Sequence, residues 1–386
     1  MMRIMLVAPY FPPEITGSSN FVSDLAIGLS EMGHAVCVVT ATESRSHELF
    51  EVVTLKARRI KPGKIAFHYS IPTILSAGNT RILGDLFDSF QPDIVSSHGQ
   101  IFDITLLANH LAKKRKIPAV MTVHSAIWHD KRILNAILAI GDTLLSRIFL
   151  RQICSGWIGV DDRTLTHIKK RYSKKATAIP ICIRRGVFAG GNSDLARERY
   201  SIHGSPVIAS IGHVVPVRNR VALVDAIPLL TEQFPNLEVV VVGRVADESF
   251  IERADQLGVT RHLRVIGAVP HSDVSHILAA SDVEVHDLQG YGLGIGSLEP
   301  IDAGVPIIAH VRDNNLPGVD LQVICPEGFL LQNDARTLST AITLALTNDG
   351  FRARLLHGQK NLLENVYYSD GVCLKYVQEF EKYIKN

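Results

Sequence analysis

No two cysteines in this 386-residue sequence stand at a CxxC spacing. The five present, Cys37, Cys154, Cys182, Cys325 and Cys373, are scattered and odd in number. That pattern argues against a zinc site and a disulfide framework and fits buried thiols in a reducing compartment. An excess of charge is also missing: 40 basic side chains face 38 acidic ones, a formal net charge of +2. Nothing in that balance points to a nucleic-acid partner. Long apolar runs are absent too. The opening Met-Met-Arg-Ile-Met-Leu-Val-Ala-Pro is too short for a signal peptide and passes directly into turn residues. No stretch approaches the roughly 20 apolar residues that cross a bilayer as a helix. The expectation is a cytoplasmic protein, able to touch a membrane from that side.

What is present is globular. Hydrophobic residues make up 46%, enough for a sizeable core, and the length predicts two domains. Short β-branched runs alternate with helical patterns. Strands are expected at 4–8, 36–40, 94–97, 119–123 and 157–160, with helices at 21–32, 104–114 and 131–152. Apolar residues on both faces of these strands predict a parallel sheet covered on each side. A polar, glycine-rich break at 184–205 follows, and then the pattern restarts. Strands are expected at 207–211, 237–242, 264–266, 283–286 and 306–309, with a helix at 220–233 and a last amphipathic helix at 370–386. The fold class is α/β, with two doubly wound units. In open parallel sheets, ligands bind beyond the carboxyl ends of the strands, so the chemistry belongs in the loops that follow them.

Five such loops carry candidates. In 9–19, Gly17 removes a side chain before a helix that Ser18, Ser19 or Asn20 can cap, and the free N–H groups of that helix suit a phosphate. His98 and His124 each stand just past a buried strand, where a histidine either donates to a sugar hydroxyl or phosphate or packs against backbone. In 211–220, Gly212 ends a strand and His213, Arg218 and Arg220 follow, a basic set suited to a diphosphate as well as to a solvated loop. In 287–299, four glycines (Gly290, Gly292, Gly294, Gly296) alternate around Tyr291 and lead into a helix holding Glu299. Such glycines let backbone N–H groups wrap an anion, and an acidic residue one turn into the helix can accept from a ribose diol.

Taken in order, the segments resemble a known family. Pro12-Pro13 with Gly17, Gly33-His34-Ala35-Val36, Pro92-Asp93-Ile94-Val95 with His98, and Ile117-Pro118 with Thr122-Val123-His124 match its first half. Ile211-Gly212, Pro216 with Arg218, Val241-Val242-Gly243, Glu299 with Ala303-Gly304-Val305-Pro306-Ile307-Ile308-Ala309, and Gly328-Phe329-Leu330-Leu331 match its second. The sequence is similar to the retaining glycosyltransferase family 4, with the GT-B fold: two doubly wound Rossmann-like domains facing each other across a cleft. The resemblance implies an acceptor-side domain over 1–185, with 366–386 packing back on it, and a nucleotide-sugar domain over 186–365. It implies a nucleotide-sugar donor such as a UDP- or GDP-sugar, a glycan or lipid-linked acceptor, retention of anomeric configuration, and no metal ion or other cofactor. Gly17 would line the donor phosphates, His124 would reach the transferred sugar, Arg218 would take the place of the phosphate-binding lysine, and Glu299 would hold the ribose. His98 falls on the acceptor side.

This sequence departs from the pattern in three places. Tyr291 stands where the family has a glutamate contacting the donor sugar, with Gln289 two residues earlier. His213 stands where the family has a phosphate-binding arginine, and it is the weaker cation at neutral pH. An Asn-Gly-Val segment is replaced near 182–187, where Arg184 or Arg185 could contribute. A non-catalytic sugar-nucleotide-binding partner of another transferase therefore stays open, as does, on the same fold, a hydrolase or an epimerase using Glu14, Asp287 or Glu299. The basic clusters at 113–116, 169–171 and 174–175 would suit an anionic membrane surface as well as ordinary solvated helix ends. The apolar residues of 131–152 are expected to pack into the core.

Overall fold

The computed structural model describes residues 1–14, 16–60, 70–127, 131–285, 287–288, 293–311 and 318–384. The chain divides into two compact units, one formed by Met1–Cys182 with Ser369–Asn386 and the other by Ile183–Tyr368.

The first unit holds a seven-stranded parallel sheet: β1 (Arg3–Ala8), β2 (Ala35–Thr40), β3 (Glu51–Thr54), β4 (Ile94–His98), β5 (Ala119–Val123), β6 (Gly156–Gly159) and β7 (Thr177–Ala178), in the order β3-β2-β1-β4-β5-β6-β7. Strands β4 and β5 are buried along their whole length, as apolar runs covered on both faces must be. The helix Gly17–Glu31 follows β1. Its cap is Thr16, whose hydroxyl accepts from the Ser19 amide at 3.0 Å while the Thr16 amide donates to Ser19 Oγ at 2.8 Å. Ser18, Ser19 and Asn20, expected as caps, lie inside the helix. The C-terminal helix Ser369–Ile384 belongs to this unit. A Cβ on Gly28 would sit 2.6 Å from Cys373 Sγ, so glycine is what lets these two helices approach. Tyr376, on the same C-terminal helix, is buried and meets Thr122 through their hydroxyls at 3.2 Å.

The segment expected to pack into the core does not. It forms the helix Arg132–Leu145, a π turn over Ser146–Leu150 and a last helical turn, Arg151–Ile153. Within Arg132–Leu145 the buried residue is Asp142, whereas Ile133, Ile137, Ile140 and Leu144 are exposed, as is Ile148 beyond it. Periodicity marks an apolar stripe but not the side it faces, and here a hydrogen-bonded carboxylate holds the inward side. The 22 residues Arg132–Ile153 are also long and apolar enough to cross a membrane, which corrects the expectation that no stretch comes near that length.

The second unit holds β8 (Val207–Ile211), β9 (Glu238–Val242), β10 (Leu263–Gly267) and β11 (Val283–Glu284), all parallel, in the order β10-β9-β8-β11. The strand expected at 306–309 is reduced to a bridge of Ile307 to Glu284 and a short pairing of Ala309–His310 with Phe329–Leu330. In both sheets the order reverses once, between β1 and β4 and between β8 and β11. The loops leaving neighbouring strands diverge there, which makes each reversal a ready ligand crevice.

Candidate functional site

At the reversal in the first unit, Gly17 opens its helix with no atom within 4 Å of where a Cβ would lie. Neither packing nor backbone conformation requires glycine there. The result is open space at the start of a helix whose Ser19 N–H is already capped by Thr16, and the positive dipole end there suits an anionic group. Glu14 is committed to Arg59, with Nη1 2.8 Å from Oε1. His98 ends β4 and is buried; its Nδ1 lies 3.1 Å from His124 Nε2, and its Nε2 lies 3.3 Å from Ser96 Oγ. Phe21 packs edge-on against both rings, with centroids 5.8 and 5.3 Å away. The contact between the rings needs one donor and one acceptor, which two neutral imidazoles supply and two imidazoliums cannot. Burial lowers the His98 pKa well below the ordinary value, and the neighbouring His124 lowers it further. His124 keeps some accessible surface, yet burial brings its pKa to about 4. The pair is thus neutral near pH 7, presenting N–H and lone pair rather than charge.

The second unit gathers more. Strands β8 and β9 each end in glycine followed by a basic residue: Ile211-Gly212-His213 and Val242-Gly243-Arg244. Both glycines take positive φ, 141° and 134°, and a Cβ on Gly243 would lie 2.2 Å from Gly212 O. Only glycine lets the two loops pass this closely. They then bridge: Val214 N donates to Arg244 O at 3.0 Å and Ala246 N to Val214 O at 2.9 Å. This register sets His213 beside Arg244. Burial lowers the His213 pKa, and the cations Arg244 and Arg218 lower it further. His213 is therefore a neutral donor, with the charge residing on the arginines.

Arg218 reaches from the 3-10 turn Pro216–Arg218 to Asp287, in the loop after β11. Asp287 is buried; it accepts from Ser297 Oγ and, at 3.4 Å, from the Gly294 amide. A Cβ on Gly294 would stand 3.3 Å from Arg218 Nη2, so the guanidinium lies over the start of the helix Ile295–Asp302. Glu299, one turn into that helix and buried, accepts from His271 Nε2 at 2.9 Å. His271 opens the next helix over, His271–Ala279, and packs edge-on against Phe188. Below, Arg220 and Glu284 are both buried. Burial raises the Glu284 pKa, while the Ile211 amide, 3.1 Å from its Oε1, and the Arg220 and Arg218 charges pull it down.

Residues 15–184 match the family model described as Glycosyltransferase Family 4, and residues 192–361 match that described as Glycosyl transferases group 1. The chain belongs to glycosyltransferase family 4. Alpha-monoglucosyldiacylglycerol synthase of Acholeplasma laidlawii is similar to this family-4 chain, 20% identical over 327 residues that cover 81% of each. Phosphatidyl-myo-inositol mannosyltransferase of Propionibacterium freudenreichii is 25% identical over 316 residues, 80% of this chain and 77% of that one. The solved structure of Anabaena HepE in complex with UDP and glucose aligns at a TM-score of 0.71 and 14% identity, over 99% of this chain and 100% of that one. The shared fold is GT-B.

Within this family-4 chain the structure groups Arg218, His213, Gly294 and Glu299 around one sheet reversal, and His98, His124 and Gly17 around the other. Gly290, Tyr291 and Gly292 lie outside the described residues, as does Gln289. Gly296 sits inside a helix rather than in a loop. Arg185 contacts Glu364, at 2.5 Å, and the Tyr368 ring, at 3.9 Å. Sequence reading missed Arg244 and His271. Arg244 repeats the strand-glycine-basic order of His213, a signal that was present. His271 has no local signature, because its partner Glu299 is 28 residues away.

Proposed function

We propose that this glycosyltransferase moves a hexose from a nucleoside-diphosphate sugar to a lipid-linked or glycan acceptor, with retention of configuration and without a metal ion. One observation carries the reading: the Arg218 guanidinium lies over the start of the helix that holds Glu299, with His213 and Arg244 on the loops after β8 and β9, near enough that the Arg218 and Arg244 charges both act on His213. A diphosphate leaving group gains negative charge as the glycosidic bond breaks. Fixed guanidinium and amide donors stabilise that charge where other enzymes use a divalent cation. Arg218 supplies the charge, and Asp287 holds its guanidinium in place. His213 donates a neutral N–H. Glu299, oriented by His271, accepts from the ribose hydroxyls. The family resemblance assigns Gly17 to the donor phosphates, His124 to the transferred sugar and His98 to the acceptor side. A neutral His124 suits hydrogen bonding to sugar hydroxyls.

The UDP in the HepE complex supports a uridine nucleotide as the first donor to test, with a guanosine nucleotide next. The lipids named for the two relatives support a lipid-linked acceptor, and with it action at the cytoplasmic face of a membrane. The epimerase and hydrolase readings are weaker, because Glu14 is engaged by Arg59 and Asp287 by Arg218 and Ser297, and Glu299 is the residue the transferase reading gives to the ribose.

The test is thermal stabilisation by a panel of UDP- and GDP-sugars in EDTA, for the wild type and Glu299→Ala. Stabilisation by one donor, lost in the variant, is the expected result. Stabilisation without any transfer to membrane-lipid extracts would favour a non-catalytic partner. Failure of every nucleotide to stabilise the chain would overturn the proposal.

A further inference from the structure

The helix Arg132–Leu145 is amphipathic the wrong way round for a core helix. At 100° per residue, Ile133, Ile137, Ile140 and Leu144 lie within about 40° of the direction opposite Asp142. Asp142 is turned inward, its side chain fully buried. It accepts from the Tyr172 hydroxyl and from Arg171 Nη1 at 3.3 Å, while His167 Nε2 lies 3.1 Å from its Oδ2 and is hydrogen-bonded to the Tyr172 hydroxyl at 3.1 Å. Arg171 Nη1 also donates to Ala139 O at 2.6 Å, and Ser146 Oγ donates to Arg171 O at 2.8 Å. The far end is anchored by buried Leu150 and Ile153. Polar bonds thus clamp this helix to the unit while its apolar stripe, with Ile148 one turn on, stays 51–77% exposed. A helix held so firmly by its polar side does not cross a bilayer, despite sufficient length and hydropathy.

Charge decides what covers the stripe. Between Lys131 and Ile153 the single acidic residue is the buried Asp142. Lys131 and Arg132 are exposed at one end. Lys169 and Lys170 precede Arg171, and Lys174 and Lys175 follow Tyr172; all four are exposed on the segment that grips Asp142. A second copy of the chain would bring like charges together. A surface that is apolar inside and anionic at its edge complements both features.

We propose that the face formed by Ile133, Ile137, Ile140, Leu144 and Ile148, helped by the exposed Lys131 and Arg132 at its start and the exposed lysines of the neighbouring 169–175 segment, docks this chain on an anionic lipid bilayer, the helix lying in the plane of the headgroups. The inference goes beyond the transfer reaction and does not rest on it, because docking needs no donor or acceptor.

The experiment is flotation of the full chain with vesicles of phosphatidylcholine alone or with one third phosphatidylglycerol. The wild type should float with the anionic vesicles, and less so as salt rises. Ile137→Glu combined with Ile140→Glu should weaken partitioning about tenfold or more. Lys169→Ala combined with Lys170→Ala should weaken it about thirtyfold on anionic vesicles. These side chains are exposed, so the variants should keep the wild-type circular dichroism and melting temperature. A wild type that fails to float, or an isoleucine variant that floats equally well, would overturn the proposal. So would a wild-type dimer that ignores vesicles and is split by the same isoleucine substitutions, since the occupant would then be a second copy.

Discussion

His98 and His124 share a hydrogen bond in a setting that disfavours their charged forms, and this has a consequence in acid. A histidine whose folded-state pKa lies below its unfolded value binds more protons when unfolded, so stability falls as pH drops through that window. For His124 the window runs from about 6.5 down to about 4. It should remove about 2 kcal/mol of stability between pH 7 and pH 5. Urea denaturation at the two pH values measures this, and His124→Gln should lose correspondingly less on acidification. In the other unit, Arg218→Ala removes the cation proposed to meet the diphosphate and should lower kcat/KM by about a hundredfold to a thousandfold. Glu299→Ala should weaken donor binding by about ten- to a hundredfold, the range for a lost hydrogen bond to a charged group. His271→Ala should give a smaller loss of the same kind, because it acts on the proposed donor site through its hydrogen bond to Glu299. Of these residues, Arg218, Glu299, His98 and His124 were legible from their positions just past strands or one turn into a helix. His271 was not, since a hydrogen bond across 28 residues leaves no periodicity.

Among elements, the strands were the most legible. Buried runs such as 239–242 and 94–97 lie where alternation put them, because burial on both faces leaves a continuous apolar signature. The short edge strand Glu51–Thr54 was missed; its burial is partial and its run brief. The helix Arg132–Leu145 was recognised as a helix but assigned to the wrong environment. Its apolar stripe is real, and the buried side is chosen by two donors, from Arg171 and Tyr172, with His167 close by, which no local pattern reveals. Removing that carboxylate in Asp142→Ala leaves buried donors without their acceptor. It should destabilise the first unit by about 3 kcal/mol or more, as breaking a buried network does. The turn after β9 gives a sharper test. Gly243→Ala places a Cβ against Gly212 O at a positive φ, and both strain and collision oppose it, so we expect a loss of about 3 kcal/mol in urea denaturation.

For the molecule as a whole, two units of similar architecture carry different chemistry. The first presents neutral imidazoles and an open helix start, and the second presents cations and a buried carboxylate, Glu299, held by His271. The sheet orders make this division possible, since each unit has one reversal and each reversal collects the loops of interest. Alternation of strands and helices made two doubly wound units legible from sequence, but the strand order, which locates the reversals, comes only from pairing. If the second unit is the donor-binding one, a saturating donor should protect the amides of 212–220, 243–246 and 294–299 from hydrogen exchange. At a hundredfold excess over Kd it should add about 2.7 kcal/mol to stability. The measurement that tests the central claim most directly is nucleotide release from the stabilising donor, in EDTA, with a membrane-lipid extract as acceptor, for the wild type and Arg218→Ala. The account predicts steady release by the wild type that EDTA leaves unchanged and that falls at least about a hundredfold in Arg218→Ala. Release that requires an added divalent metal, or that is indifferent to Arg218, would contradict it.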